Sequence, residues 1–217
     1  MSRKIIIDTD PGQDDAVAIL VALASKELEV LGITCVAGNV ELSLTSLNAR
    51  KICELAGYNK VPIFEGAGKP LNRDLVTAKH VHGGTGLDGT NLPNPALQAS
   101  DLHAVDFIIE SIMSNEKNEV TLCALGPLTN IALALQKEPK IAGRLCQVVF
   151  MGGGFFEGGN ITPAAEFNIF VDPEAASEVL ASRIPLIMMP LDLTHKVLTS
   201  PKLIDKLKSL GNRTGQV

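Results

Sequence analysis

With 217 residues and 46% apolar side chains, the chain is sized for one domain around a buried core, and 4% aromatics with no Trp make that core aliphatic. A formal charge of −5 without a basic cluster argues against nucleic acid, and against an anionic membrane surface, as a partner. No apolar run reaches membrane-spanning length, and the strand pattern that begins within the first few residues is unlike a signal peptide.

In chain order, "KIIIDTD" predicts a first strand and residues 13–25 an amphipathic, Ala-rich helix. "VLGITCVAG" is a second strand, 41–57 a helix ending near Gly57, and "VPIFEG" a short third strand. Residues 66–100 lack clear periodicity and are rich in Gly, Pro and Asn. A helix over 101–114, the strand "EVTLCAL" and a helix after "GPLTN" to about Gln136 follow. "CQVVFMGG" is another strand, before a glycine-rich stretch over 152–160. A helix over 173–182, the strand "PLIMMPL" and a helical segment from about Ser200 complete the chain.

Near-continuous apolar strands alternating with helices predict parallel strands buried on both faces. The expected architecture is a doubly wound, mostly parallel open α/β sheet of Rossmann-like type, with 1–217 as a single domain. Such sheets bind ligands beyond the carboxyl ends of their strands. The polar stretches fall there: 8–15, "AGNV" at 37–40, "ALGPLTN" at 124–130, "MGGG" at 151–154 and "LDLTH" at 191–195. Cys35, Cys53, Cys123 and Cys146 are widely spaced, with no C-x-x-C pair, and read as buried free thiols of a reducing, cytoplasmic compartment.

The stretch "IIIDTDPGQDDA" gathers Asp8, Asp10, Asp14 and Asp15 at the end of the first strand. Helix capping explains part of this: Asp10 suits an N-cap, Pro11 the first turn and Gln13 a capping box, with Asp14 and Asp15 favouring the helix dipole. Asp8 has no such explanation. Two carboxylates ~4 Å apart repel by roughly 4 kcal/mol at an effective dielectric of 20. The group therefore needs a cation, a shared proton or open water. Oxygen ligands without His or Cys select Ca²⁺ or Mg²⁺. A strand-end D-x-D also opens phosphohydrolases of the haloacid dehalogenase type, but "LDLTHK" is a poor match to the late acidic pair and Lys they need.

"DTDPGQDDA", "VAGNV", "HGGTGLDG", "LGPLTNIA" and "GNITPAAEFNIFVDPEAA", in that order, closely resemble the inosine-uridine preferring nucleoside hydrolases. The resemblance implies the nucleoside hydrolase type of sheet and Ca²⁺-dependent hydrolysis of the N-glycosidic bond of ribonucleosides. It implies that Asp10 and Asp15 hold the ion through side chains and Leu125 through its backbone carbonyl. Asp10 would also take a proton from the attacking water. Asp14, Asn160, Glu166 and Asn168 would hold the ribose hydroxyls, Asn39 would complete the hydrogen bonding, and His82 would lie near the nucleobase. Such a site suits the reaction, because glycosidic cleavage builds oxocarbenium character that nearby carboxylates stabilise.

Met151 either lines the ribose pocket or packs in the core. Glu166 and Asn168 alternate in "AEFNIF", as two residues on one face of a strand do. His80 and His103 read as surface residues. For Asp192 and His195, at a strand end, a site role and a turn or cap role both stay open. The "GGG" at 152–154 lacks the Lys and Ser/Thr of a phosphate loop and reads as a turn that brings backbone to the sugar.

The family usually continues beyond this point, with a further Asp ligand and a His that helps the base leave. No segment here matches them, and Asp205 in "PKLIDKLK" is no replacement. The expectation is weak or absent turnover by this chain. A nucleoside- or ribose-binding protein without catalysis is the alternative. An exposed sheet edge makes a homo-oligomer the expected assembly.

Overall fold

The computed structural model describes residues 2–216. Among them lie strands β1 (Arg3–Thr9), β2 (Leu28–Cys35), β3 (Ile63–Glu65), β4 (Val120–Ala124), β5 (Gln147–Met151) and β6 (Leu186–Met189). The helices are α1 (Gln13–Ala24), α2 (Leu42–Ala56), α3 (Lys79–His82), α4 (Ala104–Ser114), α5 (Thr129–Lys137), α6 (Phe167–Val171), α7 (Pro173–Ala181), α8 (Leu191–Thr194) and α9 (Pro201–Ser209). Among the described residues no helix is long and apolar enough to cross a membrane. All four cysteines are free thiols; Cys35 and Cys53 are buried, while Cys123 and Cys146 are only partly so.

The strands form one parallel sheet in the order β3-β2-β1-β4-β5-β6. Alternation along β1 divides its side chains between two cores. Ile5 and Ile7 pack with Ile19 and Leu23 of α1 and Ile52 of α2. Ile6 packs on the other face with Ile108 of α4, Ile131 of α5 and Val179 of α7. Each such buried side chain contributes about 1.5–3 kcal/mol. Chain order reverses beside β1, with β2 on one flank and β4 on the other. The crevice at the carboxyl ends of β1 and β4 is therefore the topological switch point where such sheets bind ligands.

Three local readings are corrected by the structure. Asp10 does not cap α1; the cap is Gly12, in extended backbone, and its N–H donates to Asp15 Oδ2 at 3.0 Å. Residues 165–170 do not form a strand, because Glu166 caps α6, its carboxylate accepting from the Asn168 and Ile169 N–H groups. The helix expected over 101–114 starts at Ala104, with the His103 ring accepting from the Val105 N–H, so His103 is a cap as well as a surface residue.

Candidate active site

Asp8 is fully buried beneath the crevice. Its Oδ1 accepts from Thr34 Oγ1 at 2.6 Å and from Asn130 Nδ2 at 2.8 Å. Asn130 also donates to the Cys35 carbonyl at 3.1 Å and accepts from the Ala67 N–H at 2.8 Å. Asp8 thus ties the end of β1 to the end of β2 and to α5. Burial pushes its carboxyl up to about 6, against the Asn130 and Thr34 hydrogen bonds. A carboxylate enclosed in this way is unsuited to act as the nucleophile of a phosphohydrolase.

Two residues on, Asp10 is 1% exposed. Its Oδ2 accepts from the Asn39 N–H at 2.7 Å, and its carbonyl accepts from Asn39 Nδ2 at 3.0 Å. The carboxylate lies in a slot between two glycine backbones: a Cβ at Gly38 would collide with Oδ2, and one at Gly126 with Oδ1. The "AGNV" and "LGPLTN" stretches carried these glycines, but nothing in them showed that a side chain from β1 would pass between them.

Helical spacing then separates Asp15 from Asp14. The buried stripe of α1 runs Asp15, Ile19, Ala22 and Leu23, so Asp15 faces inward and Asp14 is left exposed. Asp15 Oδ1 accepts from Thr9 Oγ1 at 2.7 Å, and Asn39 Nδ2 lies 3.5 Å from its Oδ2. Burial, then the Asp14 charge, pushes the Asp15 carboxyl up to about 7. Burial, then the Asp15 charge, raises Asp10 well above the ordinary carboxylate range. Among the described residues no three His, Cys, Asp or Glu side chains gather as a metal cluster. The convergent donors are two carboxylates, with the 125–126 peptide alongside.

The other half of the crevice comes from β5 and α6. Asn168 Nδ2 donates to the Leu125 carbonyl at 2.8 Å and to the Met151 carbonyl at 3.2 Å, with Met151 Sδ at 3.3 Å. This contact draws Met151 into the site; the side chain is only partly buried. Glu166 is buried, and its carboxylate accepts from Asn168 N at 2.9 Å, Gly153 N at 3.1 Å and Ile169 N at 3.2 Å. Burial raises its carboxyl, the three amides opposing. Asn160 is exposed and holds the approach to α6 through the Phe167 N–H, which donates to its Oδ1 at 2.8 Å.

A model of the inosine-uridine preferring nucleoside hydrolase matches residues 5–217. The chain belongs to that family. By lineage it is a ribonucleoside hydrolase. An uncharacterized protein of Schizosaccharomyces pombe is 55% identical over 214 residues, covering 99% of this chain and 69% of the relative. The pyrimidine-specific ribonucleoside hydrolase RihB of Escherichia coli O1:K1 is 43% identical over 215 residues, covering 99% of this chain and 68% of that protein. The solved purine-preferring ribonucleoside hydrolase from Gardnerella vaginalis superposes with a TM-score of 0.94 at 35% identity, over 99% of this chain and 69% of that one.

Within this nucleoside hydrolase fold, the residues expected to act together divide into a buried group and a rim. Asp10, Asp15, Asn39, Glu166 and Asn168 are buried around the crevice, with the Leu125 and Met151 carbonyls between them. Asp14 and His82 stand at the rim. The half-buried His82 ring lies against Gly12, its Nδ1 2.6 Å from Gln13 Oε1. Burial lowers its pKa, the Asp14 charge opposing. His195 does not join the buried group; it pairs with Glu157 at 3.3 Å on the surface. Asp192 caps the loop after β5 instead, accepting from the Phe155 and Phe156 N–H groups.

Proposed function

We propose that this chain binds the ribose of a purine or pyrimidine ribonucleoside beside a Ca²⁺ ion and hydrolyses its N-glycosidic bond to ribose and free base. The observation that carries the reading is the pair Asp10 and Asp15, two buried carboxylates with raised pKa values and, among the described residues, no cationic side chain as a hydrogen-bond partner. Such a pair fits a hard cation, and Asp10, Asp15 and the Leu125 carbonyl supply the oxygen donors for one. A bound Ca²⁺ would supply positive charge that offsets the carboxylates and would polarise water and sugar hydroxyls.

The chain's own groups do the rest. Asp10, rigid in its glycine slot, takes the proton of the water that attacks the sugar carbon. Glu166 and Asn168, with Asp14 and Asn160 nearer the rim, receive the ribose hydroxyls. A sugar lacking a hydroxyl would leave these groups unpaired, which gives preference for ribose. The buried carboxylates also favour positive charge on the sugar ring as the bond breaks. His82 faces the nucleobase side of the crevice. Free thiols at Cys35 and Cys53 support a reducing, cytoplasmic setting, and release of ribose and free base suits a role in nucleoside salvage.

A second reading, ribose binding without turnover, is favoured because, among the described residues, no third His, Cys, Asp or Glu joins Asp10 and Asp15 in a group able to hold a metal ion. Calorimetry with ribose, and base release from uridine and inosine, both with Ca²⁺ and with a chelator, separate the two. The expected result is Ca²⁺-dependent ribose binding accompanied by weak base release. Binding without release would support the second reading, and neither binding nor release would contradict both.

A further inference from the structure

The loop after β5 turns at Gly153, whose φ of +69° suits a glycine. That residue is held from two sides. Its N–H donates to Glu166 Oε2 at 3.1 Å, and its carbonyl accepts from the Leu191 N–H at 2.9 Å. The preceding Gly152 N–H donates to the Met189 carbonyl at 3.3 Å. Further along, the Asp192 carboxylate takes two consecutive amides, Phe155 N to Oδ2 at 2.7 Å and Phe156 N to Oδ1 at 2.9 Å. Glu157 and His195 add a solvent-exposed contact.

Side-chain packing does not fix this loop. Phe155 is 73% exposed and Phe156 97% exposed, so neither ring anchors it. Its 152–156 part is held by backbone amides bonded to Glu166 and to the segment at and after the end of β6, where the Asp192 carboxylate accepts two of them, while its 159–160 part bonds to 163–165. We propose that Asp192 is a positioning residue: by holding the 155–156 backbone it keeps the Gly153 amide on Glu166 and so sets the affinity of the site for ribose. This rests on the reading of Glu166 as a ribose-binding residue. The Phe155 and Phe156 amides also hold the Asp192 carboxyl below its ordinary range, so it is ionised and a strong acceptor at neutral pH.

Asp192, Gly153 and Glu166 make no hydrogen bond to Asp10, Asp15 or the Leu125 carbonyl; the linkage meets that carbonyl only through Asn168. Loss of Asp192 should therefore weaken ribose binding without weakening Ca²⁺ binding. Losing charge-assisted hydrogen bonds of this kind corresponds to about a tenfold change in affinity.

The test uses the full chain, Asp192→Ala and the isosteric Asp192→Asn, with ribose calorimetry, Ca²⁺ calorimetry and amide hydrogen exchange at Gly153. The expected result for Asp192→Ala is ribose affinity about tenfold lower, Ca²⁺ affinity unchanged and faster exchange at Gly153. Asp192→Asn, which keeps one acceptor, should fall between. Unchanged ribose affinity, unchanged Gly153 exchange, or a parallel fall in Ca²⁺ affinity would overturn the proposal. If the parent chain binds no ribose, the functional reading of the site fails. The Gly153 exchange rate then decides by itself whether Asp192 positions Glu166.

Discussion

Replacing Asp10 by Asn is expected to lower the turnover of a ribonucleoside by about 10²- to 10⁴-fold, the range for loss of a proton-transferring group. The substitution keeps the shape that fits between Gly38 and Gly126. It also leaves an oxygen able to accept from the Asn39 N–H. What it removes is one of two buried like charges. The metal-free Asp10→Asn protein should therefore melt at a higher temperature than the parent at pH 8, while losing the rise in melting temperature that Ca²⁺ gives the parent. Steady-state base release and scanning calorimetry on the same two proteins check both halves. Retained turnover, or a large drop in metal-free melting temperature, would remove Asp10 from the role assigned to it.

Metal-free protein is expected to be less stable at pH 8 than at pH 5. The carboxyl of Asp15 rises from 3.8 to about 7 on folding and that of Asp8 from 3.8 to about 6. Asp10 and Glu166 move in the same direction. With a folded pKa above the unfolded one, the folded state binds more protons across the interval between them. Stability from these groups is thus fully present below about pH 4 and is lost as pH rises through about 7. For Asp15 this is on the order of 4 kcal/mol, or roughly 10 °C in melting temperature for a chain of this size.

Half-buried His82, with its lowered pKa, works in the opposite sense, gaining stability as pH rises toward 6.5. Its effect should be smaller than that of the buried carboxylates. Calorimetric scans at pH 5 and pH 8, with chelator and with Ca²⁺, read the balance. In chelator the midpoint should fall between pH 5 and pH 8; with Ca²⁺ at pH 8 it should recover, because an ion that binds only the folded state stabilises it by mass action. A chelated midpoint that rises with pH would contradict the electrostatic account of the acidic pair.

The sheet was legible because its information is local. "KIIIDTD" and "EVTLCAL" are apolar runs too continuous for half-exposed strands, and parallel pairing follows from the helices between them. Parallel topology then gathers the polar strand ends at one edge, so the neighbourhood of Asp10, Asn39 and Leu125 was also legible. Finer geometry was not. Four residues of alternation in "AEFNIF" could not outweigh the Glu166 carboxylate capping the amides of Asn168 and Ile169. Asp10 looked like a cap because its type is right for one, yet Asp15 reaches the Gly12 amide. Asp8 had no sequence explanation because its partners, Thr34 and Asn130, lie 26 and 122 residues away. The glycine slot around Asp10 is likewise a meeting of β1 with the ends of β2 and β4, and it exists only once the sheet has formed.

Calcium titration calorimetry at pH 7, on the full chain and on Asp15→Asn, tests the central claim most directly. The expected result is saturable binding of a single ion per chain, with proton release visible as a buffer-dependent heat, since a carboxyl titrating near 7 must give up its proton to bind metal. Asp15→Asn should lose most of that binding. No saturable heat from the parent, or the same isotherm from Asp15→Asn, would contradict a cation site built from Asp10, Asp15 and the Leu125 carbonyl.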